Sequence, residues 1–232
     1  GEHVVIATGT ASGKSLCFQL PILSTQARQP ETRALYVSPA KALAYDQLGV
    51  LERMLAGSPL QGAIRPYCYD GDTPSSRRAA IRRSATIVLT NPDMLHVGIL
   101  PYHAKWAGFF GRLTHVVLDE IHTYRGIFGS HVAGVLRRLR RICAHYGSAP
   151  RFIRCPATVG NPRELAQALV GEPVRLIDED GSPCGSKTFV FWNPPPLEQC
   201  PPRALPPAAG TSAPPPTHLR RSANIEAQEL MR

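Results

Sequence analysis

The chain has 232 residues, with 26 Lys and Arg against 17 Asp and Glu, a formal charge of +9 at pH 7. This length excludes a minimal stapled scaffold and admits one large domain, or one domain with an appendage. The basic balance favours a polyanionic partner such as nucleic acid or an anionic membrane surface. No run approaches the roughly 20 apolar residues that a membrane span needs. The six cysteines form no C-x-x-C pair and read as thiols of a reducing compartment, the cytoplasm.

In chain order, "HVVIAT" (3–8) reads as a strand, followed by the small-residue stretch "TGTASGKS" (8–15) and a helix over 14–24. Strands are then predicted at 33–38, 63–67, 85–90, 114–120, 151–155 and 173–177. Helices are predicted at 41–55, 74–83, 92–99, 130–146 and 161–169. Apolar strands separated by helices predict an α/β fold, a parallel sheet with helices on both faces. In the 130–146 helix, Val132, Val135, Leu136, Leu139, Ile142 and Cys143 share one arc, and Arg137, Arg138, Arg140 and Arg141 fall outside it. That basic back reads first as a solvated face, and second as a nucleic-acid contact.

Near residue 180 the composition changes. "NPPPLEQCPPRALPPAAGTSAPPP" (193–216) can form neither helix nor central strand and reads as an extended linker. After it, "RRSANIEAQELMR" looks helical, with Ser222 at the N-cap. The expected organisation is a domain over 1–180, a strand end and proline-rich linker over 181–217, and the start of a truncated second domain over 218–232. The chain opens directly on the strand that leads into "TGTASGKS", so a native N-terminal segment is expected to precede it.

Two motifs carry chemistry. At a strand-to-helix turn, Thr8, Gly9, Thr10, Ala11, Ser12 and Gly13 offer little steric bulk, so backbone N–H groups can cradle phosphates. Lys14 would neutralise the β- and γ-phosphates, and the Ser15 hydroxyl would bind Mg²⁺. The first position is Thr8 where the strict P-loop pattern has Gly. The second motif, "VVLDEIH" (116–122), is an apolar strand ending in two carboxylates at the sheet edge where open α/β proteins bind ligands. Asp119 would hold Mg²⁺, directly or through water, and Glu120 would activate the attacking water.

With these residues in view, Asp-Glu-Ile-His resembles the Walker B signature of DEAD/DEAH-box superfamily-two helicases. Other segments match in order: "SPAKALAYDQ" (38–47) resembles motif Ia, "TNPDML" (90–95) motif Ib, and "CPATVGNP" (155–162) stands where motif III, usually Ser-Ala-Thr, belongs. "YDGDTPSSRR" (69–78), "LPYHAKWAGFF" (100–110) and "DEIHTYRGIFGSHVAGVLRRLRRIC" (119–143) are similar to the YprA/MrfA-type branch. The resemblance implies a RecA-like P-loop lobe of an ATP-dependent DNA helicase or translocase linked to DNA repair, using ATP and Mg²⁺ and gripping nucleic acid, with single-stranded DNA as the expected form. It assigns Lys14, Asp119 and Glu120 to catalysis. It assigns Ser15 and Asp119 to the metal, and His122 and Thr158 to coupling between nucleotide and strand. Pro39, Lys41, Ala42, Thr90, Asn91 and Pro92 would grip the strand backbone, a task that needs no base reading.

Pro156 replaces the serine of motif III, removing a backbone donor and a hydroxyl, so coupling would rest on Thr158 or fail. The adenine-reading segment and the second RecA-like lobe with its arginine fingers are expected outside this chain, which alone should turn over little ATP. The competing reading is a truncated or degenerate paralogue that binds nucleic acid or a partner with little turnover. A P-loop ATPase unrelated to nucleic acid fits less well, given the motif Ia and Ib matches. His103, His115, Tyr102 and Trp106 read as structural, and His131 as lying near a helix start.

Overall fold

The computed structural model describes residues 2–9, 13–157 and 159–181. The chain divides into two units, Gly1–Ser182 and Pro183–Arg232. The linker and the helix expected after it lie outside the described residues.

Seven strands, β1 (Val4–Ile6), β2 (Arg33–Val37), β3 (Pro66–Cys68), β4 (Ile87–Thr90), β5 (Leu113–Asp119), β6 (Arg151–Cys155) and β7 (Arg175–Ile177), form one sheet in the order β3-β4-β2-β5-β6-β1-β7. Every pairing is parallel. The central strands read as continuous apolar runs because both of their faces are covered. On one face, α1 (Lys14–Arg28) and α2 (Lys41–Leu55) bury Phe18, Ile22, Leu51 and Leu55 against Tyr36, Val117 and Ile153. On the other, α3 (Ser75–Ser84), α6 (Gly126–His145) and α7 (Pro162–Val170) cover Leu35, Val116, Leu118 and Phe152.

Three helices depart from the expected bounds by more than one residue. The first runs to Arg28, past both Pro21 and the predicted end at 24. Its last turns are held because the buried Gln26 amide donates to the carbonyls of Thr32 and Thr86 at 3.2 and 3.0 Å. The α6 helix starts at Gly126 rather than 130, and its first turn exposes Ile127 and Phe128, which hid it from the amphipathic pattern. Between β4 and β5, a short α4 (Pro92–Met94) continues as a π turn (Leu95–Ile99), a 3-10 stretch (Leu100–Trp106) and α5 (Ala107–Phe110). Only the part up to 99 was expected. The remainder forms because Leu100, Trp106, Phe109 and Phe110 are buried.

One core residue is anomalous. Arg154 on β6 is fully buried, and none of its three guanidinium nitrogens has a hydrogen-bond partner among the described residues. Its guanidinium lies 5.7 Å from the Phe152 ring centre. Burial, and then the charge of Arg140, pull its pKa down to about 10, which leaves it charged at neutral pH. An unpaired buried charge is costly, and apolar replacements of buried ions of similar volume are often neutral or stabilising by about 1–4 kcal/mol. Arg154→Met is therefore expected to unfold at equal or higher denaturant concentration. A loss of more than about 1 kcal/mol would show that the guanidinium has a partner in solution.

Candidate active site

In an all-parallel sheet the C-terminal strand ends share one edge, and loops leaving that edge build ligand sites. The strand order places β6 between β1 and β5, with β2 on the far side of β5. The loops after β1, β6, β5 and β2 therefore emerge side by side, although they come from distant parts of the sequence.

At the β1–α1 turn, Gly13 is the N-cap of α1 with φ 79°, a left-handed conformation that a β-carbon disfavours. Its carbonyl accepts from the Leu16 N–H at 2.9 Å. The Lys14 ammonium donates to the Pro156 carbonyl at 3.0 Å, across 142 residues of sequence. Ser15 Oγ accepts from Gln47 Nε2 at 3.2 Å, and Gln47 Oε1 accepts from Gln19 Nε2 at 2.9 Å. The Gly9 N–H donates to Asp180 Oδ2 at 2.9 Å, so a carboxylate stands on an amide of this turn. A β-carbon at residue 9 would lie 2.9 Å from the same oxygen. Thr8 is half-buried; Thr10, Ala11 and Ser12 lie outside the described residues.

At the end of β5, both oxygens of Asp119 are engaged. Oδ1 accepts from the Glu120 N–H at 2.9 Å, and Oδ2 accepts from the Tyr36 hydroxyl at 2.5 Å. Glu120 has φ 50° and ψ 38°, the sole non-glycine with positive φ among the described residues. Such outliers cost about 1–3 kcal/mol and concentrate at functional sites. The Glu120 carbonyl accepts from both the N–H and the hydroxyl of Thr123, at 3.0 and 2.8 Å, which closes the turn. Beside it, Tyr124 is buried, and its hydroxyl has no hydrogen-bond partner among the described residues. Its pKa is pushed up by burial, then by Asp119, Glu120 and Asp93.

His122 links β5 to β6. The Ala157 N–H donates to its Nδ1 at 3.1 Å, and the same nitrogen lies 3.1 Å from Glu120 Oε2. A nitrogen that accepts from Ala157 has no proton to give to Glu120, so the ring serves one neighbour at a time. The Ala157 contact requires the proton on Nε2. Pro156 leaves both contacts of this segment intact, because they use its carbonyl and the next N–H. Thr158 lies outside the described residues.

The expected strand-gripping residues occupy the same edge with different commitments. Lys41 forms an exposed ion pair with Asp72 at 2.7 Å, and Asp72, with its hydrogen bond, holds the lysine pKa up. Pro39 is half-buried and Ala42 exposed. Thr90 is buried, and its hydroxyl donates to the Tyr69 carbonyl at 2.7 Å. Asn91 Oδ1 caps α4 by accepting from Met94 N at 2.8 Å, and Pro92 is buried at the first helical position. The "YDGDTPSSRR" segment folds around buried Asp70, whose Oδ1 accepts from the N–H groups of Asp72 and Thr73 at 3.0 and 3.1 Å. Among the arginines of α6, Arg140 pairs with Glu172 and donates to the Val170 carbonyl, while Arg138 meets His96 Nδ1 at 3.4 Å.

The other aromatic and histidine candidates fall away from this edge or into the core. His115 is buried on β5 with its pKa pulled down to about 4 by burial, and then by Arg151. Trp106 is buried edge-on to Tyr69 and Phe109. His103 meets the Tyr146 hydroxyl at 2.8 Å, His131 is exposed on α6, and Tyr102 is exposed beneath the Lys105 ammonium. Sequence reasoning missed Tyr36, Gln19, Gln47 and Asp180. In the sequence Tyr36 is one more apolar strand residue, and only its pairing with Val117 reveals its reach.

A parallel sheet whose edge gathers a Gly-Lys-Ser turn and a paired carboxylate defines a RecA-like lobe of the P-loop class. Residues 1–166 match the DEAD/DEAH box helicase family, and the chain belongs to it. It is 47% identical over 230 residues to the ATP-dependent helicase YprA of Bacillus subtilis, covering 99% of this chain and 28% of YprA. The crystal structure of the DUF1998 helicase MrfA bound to DNA and AMPPNP matches with TM-score 0.85 and 47% identity, over 100% of this chain and 30% of that one. The Mycobacterium smegmatis helicase Lhr bound to ssDNA and AMP-PNP matches with TM-score 0.68 and 29% identity, over 82% of this chain and 25% of that one. The chain thus spans less than a third of the length of these relatives. Among the described residues no helix is long and apolar enough to cross a membrane.

Proposed function

We propose that this chain is the ATP-binding first RecA-like lobe of an ATP-dependent DNA helicase or translocase that acts in DNA repair. The observation that carries the reading is the convergence on the β6 exit. Lys14 reaches Pro156, and His122 is reached by Ala157, so the P-loop, the acidic strand end and motif III form one connected site. The lobe spans 1–180, followed by a linker over 181–217 and the start of a second lobe over 218–232.

ATP phosphates would lie on the N–H groups of the 9–15 turn at the head of α1, with the Lys14 ammonium exchanging the Pro156 carbonyl for a phosphate oxygen. Thr8 to Gly13 would line that cradle. Asp180 would have to leave the Gly9 amide as phosphate arrives, since two anions do not share one donor. Mg²⁺ suits the donors present. Asp119 and Ser15 offer hard oxygens that each keep a lone pair beyond the bonds described, and such ions take one or two protein oxygens with phosphates and water. The ion would supply charge neutralisation at the phosphates. Glu120 would take the proton of the attacking water, its carboxylate aimed by the left-handed turn that Thr123 closes. His122, shared between Glu120 and Ala157, would report the state of that carboxylate to motif III and Thr158.

Single-stranded DNA is the proposed track along Pro39, Lys41, Ala42, Asn91 and Pro92. The Thr90 hydroxyl is committed inward, so Thr90 would act through its backbone. Lys41 is exposed and would trade Asp72 for a strand phosphate, with affinity falling as salt rises. The degenerate-paralogue reading rested on Pro156 and on a second lobe outside this chain, and the first of these weighs less because the Pro156 carbonyl and the Ala157 N–H both make their contacts.

The reading is tested at Lys14. Lys14→Ala removes a charge-assisted contact worth about 1.5–3 kcal/mol, so Mg-ATP affinity measured by calorimetry is expected to fall about 10–100-fold. Equal affinity in both proteins would remove the P-loop assignment.

A further inference from the structure

Asp119 is the carboxylate that the proposed function places beside the metal. A carboxylate at a strand end can rotate about its last bond, and rotation turns its lone pairs away from a metal. Here both oxygens are pinned from opposite sides. The Glu120 N–H holds Oδ1 at 2.9 Å, and the Tyr36 hydroxyl holds Oδ2 at 2.5 Å. The second bond is at the short end of the charge-assisted range.

Sheet register makes this contact. Tyr36 on β2 pairs with Val117 on β5, so it shares a face with residue 119, two positions further along. The Tyr36 ring is buried and packs on Phe18 of α1, with ring centres 5.7 Å apart. The hydroxyl is thus held by a rigid arm rooted in the sheet and in the helix that carries Lys14 and Ser15.

We infer that Tyr36 is a positioning residue for the metal. Its hydroxyl fixes the rotation of the Asp119 carboxylate so that the remaining lone pairs are presented to a divalent cation. The inference rests on Asp119 being the metal-side carboxylate. Partners that orient metal ligands in this way typically carry 10–100-fold in metal affinity or activity.

The test uses nucleotide binding in the full-length protein, without turnover. ADP affinity is measured by calorimetry in EDTA and across a Mg²⁺ titration, for wild type, Tyr36→Phe, Phe18→Leu and Asp119→Asn. Tyr36→Phe keeps the buried ring and removes only the hydroxyl. Its ADP affinity in EDTA is expected to match wild type, while the Mg²⁺ concentration giving half the metal-dependent gain rises about tenfold. Phe18→Leu, which loosens the ring but keeps the hydroxyl, is expected to lower Tm and to move that midpoint less than Tyr36→Phe does. Asp119→Asn is expected to abolish the metal-dependent gain. If Asp119→Asn abolishes it and Tyr36→Phe leaves the midpoint unchanged, the inference fails and the metal reading stands. If Asp119→Asn leaves the gain intact, the metal reading fails and this inference with it. Equal loss of ADP affinity with and without Mg²⁺ in Tyr36→Phe would make the tyrosine merely structural, and would also overturn the inference.

Discussion

Glu120→Gln, in a protein carrying both lobes, is expected to lower DNA-stimulated ATP turnover by about 10²–10⁴, the range that a positioned general base supplies, while ATP affinity stays within about twofold. Glutamine has nearly the shape of glutamate, and the features that place residue 120 are backbone ones. Its N–H binds Asp119 Oδ1, and its carbonyl takes both groups of Thr123. The φ of 50° belongs to the chain rather than to the carboxylate. The substitution therefore removes the proposed base and the charge but leaves the turn. The carboxylate 3.1 Å from His122 Nδ1 is then gone, and the ring is free to stay with Ala157. A steady-state ATPase assay beside nucleotide calorimetry reads both quantities. Turnover within tenfold of wild type would move the base away from Glu120.

The second large effect is expected at a glycine outside the phosphate turn and the acidic strand end. A β-carbon at Gly129 would lie 2.4 Å from the Tyr124 carbonyl oxygen and 2.7 Å from its carbon. Both are backbone atoms, which cannot swing aside. Gly129 is buried in the first turns of α6, so Gly129→Ala must push that helix away from the turn that follows Glu120. Overpacking of this kind costs about 1–3 kcal/mol. At about 2 kcal/mol, a domain of this size loses roughly 4–8 °C in Tm. ATP turnover is expected to fall as well, because the displaced segment is the turn that follows Glu120, and the Tyr124 hydroxyl feels the charges of Asp119 and Glu120. Gly134→Ala is the matched control. It sits on the same helix with nothing within 4 Å of the added carbon, and it is expected to raise Tm slightly, since alanine is the better helix former. Calorimetric scans of the two variants separate the close approach from helix propensity. An unchanged Tm in Gly129→Ala would show that α6 can tilt at no cost.

The parallel sheet was legible because its strands are buried on both faces and are written as unbroken apolar runs. All seven expected strands are present, their bounds shifted by up to three residues. The helices were legible where one face alone is buried, as in α2, whose span agrees at both ends. They were illegible where burial has no period. Leu100, Trp106, Phe109 and Phe110 pack from a 3-10 stretch and a single α turn, so their spacing matches neither a helix nor a strand. The first turn of α6 was missed for the opposite reason, since Ile127 and Phe128 are apolar and exposed.

Local chemistry was likewise readable from the sequence. Gly13, Lys14 and Ser15 fall at the head of α1, and Asp119 and Glu120 at the end of β5, because the residues that make a turn or end a strand are those whose backbone or charge cannot be buried. What the sequence could not carry is which distant groups meet at that edge. The placement of β6 between β1 and β5 alone decides that Lys14 reaches the Pro156 carbonyl and that the Ala157 N–H meets His122. Register alone decides that Tyr36 holds Asp119. Composition and period are properties of short stretches, set by which face is buried. Contacts across 83 or 142 residues are set by strand order and register, which come into being only when the sheet assembles.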